Sequence, residues 1–76
     1  MSAEIPSGPG MVERRLRVAD PDVVWLRSLI EGYEGLALLY GDGSGIVRLI
    51  APESRAAELD SLLADLAHEL PIRPLP

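Results

Sequence analysis

The spacing of apolar positions changes along the chain, and each change marks an element. In VERRLRVA, Val12, Leu16 and Val18 alternate with Arg15 and Arg17, and Arg14 interrupts the apolar side. A period of two with one polar face predicts a half-buried strand. In DPDVVWLRSLIEGYEG the period lengthens to that of a helix. Val23, Leu26, Leu29, Ile30 and Tyr33 fall on one stripe with Trp25 at its margin, and Arg27, Ser28 and Glu31 lie opposite. Asp20 is placed to cap this helix, Pro21 suits its first position, and Asp22 suits the positive end of its dipole. Gly32 or Gly35 supplies the terminator.

The next stretch, GLALLYGDGSGIVRLIAP (residues 35–52), reads as two strands around a glycine-rich turn, and nearly all of its strand positions are apolar. A symmetric turn sets Tyr40 opposite Ile46, Leu38 opposite Arg48 and Leu36 opposite Ile50 on one face. Ala37, Leu39, Val47, Leu49 and Ala51 share the other. The GDGSG loop supplies positive-φ positions for a turn. It opens no helix and lacks the lysine of a phosphate-binding loop, so it reads as a plain connection.

A second helix follows in PESRAAELDSLLADLAHEL, with Ser54 as its expected cap. Ala56, Leu59, Leu63, Leu66 and Leu70 repeat at heptad spacing, and Leu62 widens the stripe. His68 falls on the solvent side, and Asp60, Asp65 and Glu69 flank the stripe without converging on it. The closing PIRPLP holds three prolines, which a central strand excludes and an edge strand tolerates. It reads as a short edge strand or a loose tail, and it also resembles a polyproline-type ligand.

Strand, helix, strand, strand, helix and a possible short strand assemble by a right-handed crossover into an α+β, ferredoxin-like sandwich. Two helices cover one face of an antiparallel sheet with strand order 4-1-3-2. Residues 1–10, with two prolines and two glycines, read as a flexible leader, and residues 11–76 as a single α+β domain. Two helices cover only one face of the hairpin. The other collects Leu36, Leu38, Tyr40, Ile46 and Ile50, with Arg15, Arg17 and Arg48 running across it. Burying four or five such side chains contributes roughly 6–15 kcal/mol, at about 1.5–3 each. That is as large as the roughly 5–15 kcal/mol net stability of a small domain. The expected cover is a second chain: a homo-oligomer with a dimer favoured, joined face to face or edge to edge, or another protein. Arginine beside apolar residues and a tyrosine suits such an interface.

Composition narrows the chemistry. A chain of 76 residues is one domain at most, near the lower limit for a self-sufficient core. It has no cysteine, hence no disulfide or thiolate metal site, and its single histidine leaves no zinc cluster. No metal, cofactor or catalytic residue is expected. A net charge of −5 argues against nucleic acid and anionic membranes as partners. The longest apolar run, Leu36 to Tyr40, is far short of the roughly 20 residues of a membrane span. The first ten residues do not form a signal peptide, so the expected location is the cytoplasm. All seven basic residues are arginine and Lys, Asn, Gln, Thr, Cys and Phe are absent, a bias that a GC-rich bacterial genome produces.

Two resemblances bear on the reading. DPDVVWLRSLIEGYEGLALLYGDGSGIVRLIAP, with its EGYEGLA junction, resembles a small bacterial family known only as a domain of unknown function. The likeness extends over most of residues 12–70 and implies no activity. VADPDVVWLRSLI is more distantly similar to the opening of ACT-type regulatory domains, where Asp-x-Pro-Gly leads into a helix. Here Asp20 and Pro21 are adjacent and Asp22 stands where the glycine would. That resemblance implies a polar ligand, such as an amino acid, held at a subunit seam near Asp20 and Asp22, with Arg15 and Arg17 beside it.

The leading expectation is a non-enzymatic, self-associating interaction or regulatory module, with the ACT-like sensor as the alternative. RNA binding is a weaker third reading, because the sheet positions that would stack bases hold Arg15, Arg17, Ile46, Arg48 and Ile50 and no aromatic ring. An enzyme comes last, since no nucleophile–base pair is legible.

Overall fold

The computed structural model describes residues 10–75. β1 (Met11–Arg17) leads into α1 (Asp20–Glu31), β2 (Leu38–Gly41) and β3 (Ile46–Pro52). A 3₁₀ turn (Glu53–Arg55), α2 (Ala56–Glu69) and β4 (Arg73–Leu75) complete the chain. The strands form one antiparallel sheet in the order β2-β3-β1-β4, and the arrangement is ferredoxin-like. The leader expected over residues 1–10 lies outside the described residues except for Gly10, which sits in a turn at φ 84°.

Alternation builds the core. Leu16 of β1 lies beside Val47 of β3, and Leu39 of β2 beside Leu49. With Val18 and Ala51 they meet Leu26 and Ile30 of α1 and Leu59, Leu63 and Leu66 of α2, all buried. The heptad-spaced leucines of α2 therefore pack on the sheet. Arg14, on this same side of β1, does not turn inward. Its guanidinium reaches Asp60 of α2 with Nε–Oδ1 at 2.7 Å and Nη2–Oδ2 at 3.1 Å, and Nη1 donates to the Glu13 carbonyl at 3.1 Å. The break in the strand pattern is thus a strand-to-helix tie, with the aliphatic stem spanning the rim of the core. Ile72 is buried and carries the tail into β4, where Pro74 is tolerated because the strand is an edge.

Local details depart from expectation at the ends of the elements, where one or two backbone groups decide the geometry. Ala19, not Asp20, is the N-cap of α1: its carbonyl accepts from Asp22 N at 2.9 Å and Val23 N at 3.2 Å, and no side chain caps the helix. Asp20 is already the first helical residue. Ser54 does not cap α2 either, because it lies inside the 3₁₀ turn that precedes the helix. α1 stops at Glu31, Gly32 keeps a right-handed φ of −71°, and Gly35 is the residue that turns left-handed at φ 73°. Tyr33, expected on the buried stripe, falls beyond the last helical turn and stays exposed.

The hairpin register is shifted by two residues from the symmetric one. Leu38 pairs with Ile50 and Tyr40 with Arg48, which preserves the parity of faces. Leu36 is the exception. It belongs to the turn before β2, where its N–H donates to the Tyr33 carbonyl at 3.0 Å, so strand alternation does not govern it. Its side chain enters the helix-side core and is fully buried.

Candidate interaction face

The face of the sheet away from the helices is built by the outward positions of all four strands. One row across it reads Tyr40, Arg48, Arg15, Leu75, and the next reads Ile46, Arg17, Arg73. A third holds Leu38, Ile50 and Glu13. Of the eight residues expected at an interface, Leu38, Tyr40, Ile46, Arg48, Ile50, Arg15 and Arg17 share this face. Leu36 does not, for the reason given above. Ile50 needs a correction as well: it points to this side, yet its own chain already covers it completely. The accessible apolar surface is therefore Leu38, 54% exposed, with half-buried Tyr40 and Ile46. Arg73 and Leu75 join the face because β4 forms. The R-x-L alternation of the tail carries that signal, hidden between prolines.

The arginines are direct cross-strand neighbours, Arg15 of Arg48 and Arg17 of Arg73. Arg48 Nε lies 3.7 Å from Glu13 Oε2, diagonal to it across β3 and β1. At the hairpin end an open hollow of about 610 Å³ is lined by Arg15, Tyr40, Asp42, Ser44, Ile46 and Arg48. Asp42 and Ser44 are occupied in closing the loop: Ser44 N donates to Asp42 Oδ1 at 2.9 Å, and Ile46 N to Ser44 Oγ at 3.3 Å. The Ser44 hydroxyl and backbone N–H, with Arg48 adding its charge, hold the Asp42 carboxyl below the ordinary carboxylate range. A smaller apolar hollow at the opposite end, about 220 Å³, is lined by Met11, Leu38, Ile50 and Pro52 among others. Away from this face, the hydrogen bonds and charge of Arg14 lower the Asp60 carboxyl in the same direction. A carboxyl lowered by folding stabilises the fold at neutral pH, and that contribution disappears as pH falls through the lowered value.

Both edges of the sheet are blunted. β2 has four residues, and Arg27 of α1 lays its charged side chain along it, Nη1 donating to the Leu39 carbonyl at 3.4 Å. β4 has three residues, and Pro74 at its centre has no N–H to offer. Short strands, a charge and a proline are the devices that discourage strand addition.

The ligand loop suggested by the ACT-type resemblance is not assembled within one chain. Asp20 and Asp22 lie in the first turn of α1, Asp20 next to the hairpin glycines, whereas Arg15 and Arg17 project from the face of the sheet away from the helices. His68 is exposed in the last turn of α2. Among the described residues no group of three His, Asp or Glu side chains could hold a metal ion, and no helix is long and apolar enough to cross a membrane.

The profile of a family described as "Domain of unknown function (DUF4911)" matches residues 16–70, well over half the chain, from the second half of β1 to the end of α2. No curated protein and no solved structure matches.

Proposed function

The chain belongs to the DUF4911 family, and from its open sheet face we propose that it is a non-enzymatic, self-associating protein–protein interaction module. The observation that carries this reading is Leu38, more than half exposed at the start of β2, with half-buried Tyr40 two residues on along the same face and Arg48 paired with Tyr40. An exposed aliphatic–aromatic patch interleaved with arginine has the composition of an interface centre. The blunted edges direct association to the face rather than to strand pairing. The reading is leaner than five exposed apolar side chains would make it, because Leu36 and Ile50 are covered within the chain.

Association stabilises the folded state by mass action, so the thermal midpoint of an associating protein rises with its concentration. The midpoint of the wild type is expected to climb from micromolar to sub-millimolar concentration, and that of Leu38→Glu to stay flat. A wild-type midpoint independent of concentration contradicts the proposal.

A further inference from the structure

Among the described residues the large hydrophobic side chains left exposed are Leu38, Val24, Trp25 and Tyr33; Tyr33 lies past the end of α1, and the others form two patches on different surfaces. Leu38 is on the open sheet face. Val24 (70% exposed) and Trp25 (48%) stand on the outer surface of α1, beyond the Leu26 and Ile30 side that packs on the sheet. At 100° per residue Val24 falls opposite the buried stripe, where the helices of small domains usually carry a polar residue.

The two patches carry opposite charge. The sheet face holds Arg15, Arg17, Arg48 and Arg73, opposed by Glu13 and by the loop residue Asp42. α1 carries Asp20, Asp22 and Glu31 against the single Arg27. A protein of net charge −5 has thus gathered four of its seven arginines on one face.

We infer that the occupant of the sheet face is the outer surface of α1 of a second copy, so that copies join head to tail. The inference rests on the self-association proposed above and specifies its geometry. Two copies stacked sheet to sheet would set the same four arginines against each other, a like-charge juxtaposition that suppresses wrong partners. That arrangement would also leave Val24 and Trp25 in water. Head-to-tail contact places the arginines against the α1 carboxylates and covers Leu38, Val24 and Trp25 in one interface. The contact is heterologous, so it repeats and either closes into a ring or extends with concentration.

Complementation tests this directly. The Arg17→Ser/Leu38→Ser variant damages the sheet face and leaves α1 intact, whereas Val24→Arg damages α1 and leaves the sheet face intact. By light scattering each variant alone is expected at the mass of one chain. An equimolar mixture is expected at the mass of two chains and no more, since a single intact face meets a single intact helix. Recovery in the mixture also shows that both variants are folded, and circular dichroism of each confirms it independently. If the wild type associates and Val24→Arg associates equally well, the head-to-tail geometry is overturned while self-association stands. If the wild type itself stays at one chain's mass, both fail.

Discussion

Leu36 and Leu38 are two residues apart, of one type, and energetically unlike. Strand alternation read from sequence puts them on the same face, and that holds only where the backbone is a strand. The turn held by Leu36 N and the Tyr33 carbonyl ends alternation before Leu38, so Leu36 fills the core and Leu38 meets solvent. Truncating Leu36 to Ala removes a fully buried leucine and is expected to cost about 2–5 kcal/mol. Leu38→Ala is expected to change stability by no more than about 0.5 kcal/mol when measured by denaturant unfolding at low concentration. Equal costs would contradict the placement of these two side chains. Arg14 teaches the same lesson from the polar side. Its place in the pattern was legible, but its partner Asp60, 46 residues away, depends on how α2 crosses the sheet.

At the scale of elements, long periodic segments were readable and their ends were not. The stripe of α2 and the alternation of β1 are set by burial, which acts on many residues at once. Caps and turns are decided by one or two backbone groups, and here Ala19 and the 3₁₀ turn at Glu53–Arg55 prevailed over the favoured capping types Asp20 and Ser54. The junction between α1 and β2 depends on Gly35. It is left-handed at φ 73°, and a Cβ there would lie 3.3 Å from Arg55 Nη1, which donates to the Glu34 carbonyl at 2.6 Å. Gly35→Ala therefore meets both backbone strain and a crowded guanidinium. Left-handed backbone alone costs a residue with a Cβ about 1–2 kcal/mol, and a loss of at least that size is expected in chemical unfolding. A neutral outcome would contradict the described turn. The register of the hairpin, two residues from symmetric, is likewise set by its loop: Gly43 and Gly45 take positive φ while Asp42 and Ser44 spend their side chains on the turn.

At the scale of the whole molecule, strand order and the single helical layer followed from element order and the handedness of the crossover, and the structure has both. The candidate site was legible as a face but not as an inventory. Parity correctly grouped Leu38, Tyr40, Ile46 and Arg48 with Arg15 and Arg17. It could not show that Ile50 is covered within the chain, nor that β4 brings Arg73 alongside Arg17. What emerges is a thin two-layer domain with arginine-rich and carboxylate-rich sides, each bearing an apolar patch. The bare side of the sheet is proposed as a contact surface between chains. The most direct test is the light-scattering mass of the purified wild-type protein across micromolar to sub-millimolar concentration. The account predicts a mass of two or more chains that rises or saturates with concentration, and a mass of one chain throughout would contradict it.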